Sequence, residues 1–244
     1  LMDVLRETVF ETKKVRGAER IIINLKNKVD VSYVTFSGKN EAPPATGSPV
    51  VEVDVPEGYR DPAPFAFKKG DTVAILGNGL ADRMQHDGWT ETLLQSELKG
   101  QEVSFRNMSL SGDRPNQYPR SKGFTPMGQY LQHVKADVVF AMFGYNESFS
   151  GPQAADSHKK LLIDFVSKIR SYKPNGKDFP RIVLFSPIAF EDLKDRNLPR
   201  GKAHNKNLSA FSKATQEAAR EAGVAYVDLY GPTLKLYEQS KEAL

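Results

Sequence analysis

The chain reads as an α/β protein in which residues 70–244 form a three-layer α/β/α sandwich, preceded by a basic β-rich arm and a proline-rich linker. Three observations carry this expectation. From Gly70 onward, short apolar runs alternate with longer amphipathic stretches. Three of the runs are almost continuously apolar: Val73 to Leu76, Val138 to Phe143 and Ile182 to Phe185. Strands of that kind are covered on both faces, as in a parallel sheet. The stretches between them repeat their apolar residues at helical spacing, which places helices over the sheet.

The elements follow in order. Residues 1–41 form a basic arm whose first forty residues carry eight basic and five acidic side chains, with a β-rich stretch from Arg20 to Phe36 that includes Ile21, Ile22, Ile23, Val29, Val31, Tyr33 and Val34. It reads as a strand pair or an arm suited to docking on a neighbouring domain or chain. Residues 42–69 are a linker, broken by Pro43, Pro44, Pro49, Pro62 and Pro64. Within it Val51, Val53 and Val55 alternate with Glu52 and Asp54, the pattern of a short strand. Strands are then expected at Thr72 to Leu76, Glu102 to Met108, Asp137 to Phe143, Arg181 to Phe185 and Val224 to Leu229. Trp89 to Leu98 forms a helix packing through Trp89, Leu93, Leu94 and Leu98, with Asp87 as its cap. Gln153 to Tyr172 places Leu161, Leu162, Phe165, Val166 and Ile169 on one stripe. His204 to Ala222 does the same with Leu208, Phe211, Ala214 and Ala218, and stops at Gly223 as a C-cap glycine does.

Composition narrows the function classes. The 39% hydrophobic content of 244 residues suffices for a full-sized core. Net charge is +4, but 34 basic and 30 acidic residues are interspersed, which describes a mixed surface and argues against a nucleic-acid groove. The absence of cysteine excludes disulfides, thiolate metal sites and a cysteine nucleophile. No metal site or cofactor is expected. No apolar run approaches the ~20 residues that span a bilayer, and Asp3, Glu7 and Glu11 stand where a signal peptide would be apolar.

The loops leaving the strands carry the chemistry. They hold Gly77-Asn78-Gly79, then Ser109-Leu110-Ser111-Gly112-Asp113, then Phe143-Gly144-Tyr145-Asn146-Glu147. In a parallel sheet these three loops converge on one edge. A glycine N–H and an asparagine amide meeting there would suit an oxyanion that develops on a carbonyl during acyl transfer.

Here the chain resembles the SGNH hydrolases, also called the GDSL esterase and lipase family. Their Gly-Asp-Ser block matches Gly77-Asn78-Gly79, their Asn-x-x-x-Ser-Gly block matches Asn107 to Gly112, and their Gly-x-Asn-Asp block matches Gly144-Tyr145-Asn146-Glu147. The resemblance covers about residues 70–231 and is also to SGNH-type modules of large multidomain extracytoplasmic bacterial proteins. It implies a flavodoxin-like five-stranded parallel sheet, activity on small acyl or carbohydrate-acetyl esters, and a periplasmic or secreted location. It further implies that Gly112 and Asn146 occupy the two oxyanion-hole positions.

Two departures matter. Gly79 stands where the family has its nucleophilic serine, and no Asp-x-x-His block is found. None of His86, His133, His158 or His204 follows an aspartate by three positions, and the sequence stops sixteen residues beyond Asp228, near where that block would begin. Either the domain is cut short, or both halves of the attacking machinery are lost and the pocket binds a ligand without turnover. Asn78, Asp82, Glu147 and His204 are further pocket candidates, and Arg83 and His86 lie close by in the sequence. A base at neutral pH would have to be a group such as His204. To replace the missing serine, Ser109, Ser111, Ser148 or Ser150 would have to move several ångströms and gain a base. The alternative for Gly77 and Gly79 is a turn needing positive φ, and for Gly112 ordinary turn chemistry.

Overall fold

In a computed structural model, which describes residues 9–15, 18–24, 35–36, 50–121 and 123–242, the chain forms two units, Leu1–Pro44 and Ala45–Leu244. The first holds a three-stranded antiparallel sheet. Val9–Val15 (β1) pairs with Ala18–Asn24 (β2) so that Val15 faces Ala18, and β2 pairs with Thr35–Phe36 (β3) through Glu19 and Phe36. The expected strand residues Val29, Val31, Tyr33 and Val34 lie outside the described residues.

The second unit is built on five parallel strands: Thr72–Gly77 (β4), Ser104–Asn107 (β5), Val138–Met142 (β6), Arg181–Phe185 (β7) and Ala225–Val227 (β8). Their order is β5-β4-β6-β7-β8. The chain runs from β4 to β5 on one side and then returns to β6 on the other. This reversal opens a crevice at the carboxyl end of β4, the place where doubly wound sheets bind ligands.

Because successive strand residues face opposite sides, the apolar runs supply two cores. Ala74, Leu76, Val139, Ala141, Ile182 and Leu184 face one side. There they meet Met127–Val134 (α3) through Leu131, Ala155–Ser171 (α4) through Leu162, Phe165, Val166 and Ile169, and Gly201–Ala222 (α5) through Ala218 and Ala219. Val73, Ile75, Val138, Phe140, Met142 and Val183 face the other side, against Leu80 and Met84 of Gly79–Asp87 (α1) and Leu94 of Trp89–Glu97 (α2). Burying a Leu or Phe in either core contributes about 1.5–3 kcal/mol. A last helix, Tyr230–Glu242 (α6), is tied back when Ala189 N–H donates to Thr233 Oγ1 at 2.8 Å. The result is the three-layer α/β/α sandwich with a flavodoxin-like strand order.

Several local expectations are corrected. Val51 to Val55 form no strand: the Val53 N–H bonds to Ser171 O at the end of α4, at 2.8 Å, so no ladder can propagate. Residues 50–69 instead run extended over the sandwich and are fastened by charge. Arg170 of α4 donates to Asp61 Oδ1 at 2.6 Å and to the carbonyls of Tyr59, Ala222 and Gly223, with its guanidinium 4.8 Å from the Tyr59 ring centre. Asp61 Oδ2 accepts the Ile182 N–H at 2.7 Å. Arg181 reaches Ala66 O and Asp71 Oδ1, each at 2.5 Å, while Phe65 and Phe67 pack on Phe140. Asp87 caps nothing, because it ends α1; the cap before Trp89 is Gly88 with φ 64°. Trp89 and Leu93 are 69% and 63% exposed, so only the Leu94 and Leu98 side of α2 packs on the sheet.

Candidate active site

At the carboxyl end of β4 the three loops do meet. Gly77 is glycine for want of room: a Cβ there would lie 2.5 Å from Met142 O and 2.8 Å from Ala81 Cβ. Neither Gly77 nor Gly79 has positive φ, so turn conformation explains neither. Gly79 opens α1, and a Cβ added to it would meet nothing within 4 Å. Position 79 thus has space for a side chain that the sequence does not supply.

Asn78 is buried and occupies the N-cap position of α1 without capping it. Its Nδ2 donates to Glu147 Oε2 at 3.2 Å, and the same oxygen accepts the Gly144 N–H at 2.8 Å. Asn78 Oδ1 and Glu147 Oε1 are buried with no partner among the described residues. Burial pushes the Glu147 carboxyl above the usual range, opposed by hydrogen bonds from its own N–H and that of Gly144, by the charge of Arg114 and by Asn78. This pair locks the first loop to the third.

The second loop is locked from both ends. Asn107 Nδ2 donates to Ala81 O at 2.7 Å, and Asp113, fully buried, receives Arg120 Nη2 and the Leu110 N–H at 2.8 and 3.0 Å. The Asp113–Arg120 pair, legible in the sequence only as two charges seven residues apart, therefore holds the turn that presents Gly112. Asn146 Nδ2 donates to Ser111 O at 2.7 Å. The carbonyl and N–H of a trans peptide point in opposite directions. With its carbonyl turned to Asn146, the Ser111–Gly112 peptide directs the exposed Gly112 N–H away from that amide.

His204 sits in the first turn of α5, buried among Phe149, Phe190 and Tyr145 at ring-centre distances of 4.3, 5.3 and 5.9 Å. Its Nε2 lies 3.4 Å from Ser148 Oγ, and burial lowers its pKa, so it is a neutral ring in an aromatic cage. The hydroxyls of Ser109 and Ser148 donate to the carbonyls of Ile75 and Tyr145 at 3.1 and 2.6 Å. Ser111, by contrast, is exposed and donates to Asp82 Oδ2 in the first turn of α1. Asp82 also accepts Gln85 Nε2 at 2.8 Å, whereas Arg83, His86 and Asp87 are exposed on the same helix. Sequence reasoning missed His158. It lies on the apolar stripe of α4, buried beside Phe211 at 5.0 Å, with both ring nitrogens unpartnered among the described residues. Its spacing of four from Leu162 was the available signal.

A doubly wound parallel sheet whose Gly-Asn-Gly, Ser-Gly and Gly-x-Asn-Glu loops meet at the switch point defines an SGNH-type domain with an esterase-like fold. The model of the GDSL-like lipase/acylhydrolase family matches residues 70–243, and the chain belongs to that family. No curated protein sequence matches it. Among solved structures it is similar to BT4096, a gut microbial diltiazem-metabolizing enzyme, with 18% identity and a TM-score of 0.50 over 73% of this chain. The match spans 41% of that enzyme's length. It is also similar to Est24, a carbohydrate acetylesterase from Sinorhizobium meliloti (14% identity, TM-score 0.49, 65% of this chain and 83% of that one). A third similar structure is the aryl esterase of M. smegmatis (15% identity, TM-score 0.48, 71% of this chain and 100% of that one). Among the described residues no helix is long and apolar enough to cross a membrane.

Proposed function

We propose that this domain binds and hydrolyses small acyl esters, carbohydrate acetates among them, at the carboxyl edge of β4. The observation that carries the reading is the Asn146 hydrogen bond to Ser111 O. It fixes the Ser111–Gly112 peptide, so that the N–H of the exposed Gly112 is held in one direction as a donor for a developing oxyanion before substrate arrives. Such preorganised donors contribute roughly 2.7–4 kcal/mol to acyl transfer. Asn146 spends an amide hydrogen on Ser111 O and so acts as the support for Gly112, whose N–H points away from it. Glu147 and Asn78 hold the floor of the site rigid beneath them.

Hydrolysis of a short-chain aryl acetate tests the reading. Turnover is expected to fall about 100-fold in Asn146→Ala, in line with the loss of one oxyanion donor. A parent chain no faster than that variant would sink the proposal. The open space at Gly79 favours a second reading, a pocket that holds an acyl or carboxylate group without turning it over. In that case acetate would perturb the amide resonances of Gly112 and the side chain of Asn146 while the ester stays intact.

A further inference from the structure

We propose that Ser111 is the nucleophile of this site and Asp82 its base, a dyad standing in for the serine missing at Gly79. The inference rests on the ester-hydrolase reading above and adds the attacking group which that reading lacks.

Of the serines on this edge, Ser109 and Ser148 are buried and donate their hydroxyls to backbone carbonyls, and although His204 Nε2 lies 3.4 Å from Ser148 Oγ, that serine is fully enclosed and spends its proton on Tyr145 O at 2.6 Å. Ser111 is exposed, and its Oγ donates to a carboxylate. A nucleophile within hydrogen-bond reach of its base, with that base oriented by a third group, is the arrangement nucleophilic catalysis requires. Here the third group is Gln85, whose Nε2 donates to Asp82 Oδ1 at 2.8 Å and leaves Oδ2 for the serine. Asp82 is held on the first turn of α1, which is anchored when Asn107 Nδ2 donates to Ala81 O at 2.7 Å.

The peptide geometry favours the same residue. The N–H that follows a nucleophilic serine is a standard oxyanion donor in hydrolases that attack from a tight turn. Gly112 follows Ser111 directly, and Asn146 holds that N–H in one direction through the Ser111 carbonyl. In this arrangement Asn146 acts as a positioning residue, and Asp113 with Arg120 holds the turn beyond it.

The chemistry balances with ester and water alone. Ser111 Oγ bonds to the acyl carbon as its proton passes to Asp82 Oδ2, and the carbonyl electron pair moves to the oxygen facing Gly112 N–H. Collapse breaks the bond to the alkoxy oxygen, which leaves as alcohol with the proton from Asp82. Water then attacks the acyl-Ser111 ester and gives a proton to Asp82. The bond to Oγ breaks, and Ser111 recovers that proton as the free acid departs.

The full chain is treated with a fluorophosphonate, mapped by peptide mass spectrometry, and assayed with p-nitrophenyl acetate beside Ser111→Ala, Asp82→Asn and Ser150→Ala. Label on Ser111 is expected in the parent and in Ser150→Ala. Both Ser111→Ala and Asp82→Asn are expected to lose label and at least 100-fold in kcat, with circular dichroism unchanged. Label on another serine, or unaltered turnover in Ser111→Ala, overturns the dyad and leaves the hydrolase reading standing. A parent chain that neither labels nor turns over overturns both.

Discussion

His158 makes the domain acid-sensitive in a way that can be calculated. Burial without a partner lowers its pKa from 6.5 to about 4. The unfolded chain therefore takes up a proton near pH 6.5, and the folded chain does so only near 4. Stability contributed by the neutral ring is complete above pH 7 and declines as pH falls through this window. The full effect is about 3 kcal/mol, of which about 2 kcal/mol is lost between pH 7 and pH 4.5. Replacing His158 by Leu removes the titration and also removes two unpartnered nitrogens. Urea denaturation of both chains at pH 7 and 4.5 checks this. The variant is expected to lose about 2 kcal/mol less than the parent. Asp61 and Glu147, whose carboxyls burial raises, take up protons first in the folded state and so act in the opposite direction. They and His204 are common to both chains and cancel in the difference. Equal losses in the two chains, or a His158 resonance titrating near pH 6.5, would refute the reasoning.

Two further outcomes follow from the same loops. Gly77→Ala forces a methyl against Met142 O and Ala81 and is expected to cost about 1–3 kcal/mol, whereas Gly79→Ser enters open space and replaces a helical glycine, leaving stability unchanged or raised by up to about 1 kcal/mol; thermal denaturation of the pair distinguishes them. Asp113→Ala removes the carboxylate of Arg120, leaving that guanidinium the carbonyls of Pro119 and Met108, and is expected to cost about 3 kcal/mol, read by urea titration, and to broaden the Gly112 amide resonance.

The centre of the sheet was legible because β4, β6 and β7 are apolar on both faces, and Arg181 to Phe185 begins and ends where the sequence places it. The helices α4 and α5 were legible because their long apolar stripes recur at helical spacing, even with His158 set in one of them and His204 in the other. Three others were not. In α1 only Leu80, Ala81 and Met84 mark the buried side among charges. The α3 helix follows a proline, and α6 carries Gly231-Pro232 in its first turn, where proline is tolerated but reads as a breaker. The three loops of the site were readable from short motifs. Their contacts were not, because the Ser111 bond to Asp82 and the Asn78 bond to Glu147 join residues 29 and 69 positions apart. Alternation misled at Val51 to Val55, where the partner of Val53 is a helix end and, among the described residues, no neighbouring strand accepts the pattern.

The extended segment 50–69 separates the inherited unit from the folding unit. The family pattern begins at residue 70, but a chain starting there would leave Arg170 and Arg181 without Asp61 and the Ala66 carbonyl, and Phe140 without the rings of Phe65 and Phe67. Those twenty residues work as a removable belt whose buckle is charged and whose lining is aromatic. Domain dissection, grafting or expression of this module should therefore take residue 50 as its boundary, because a cut placed by homology at residue 70 would remove the belt whole.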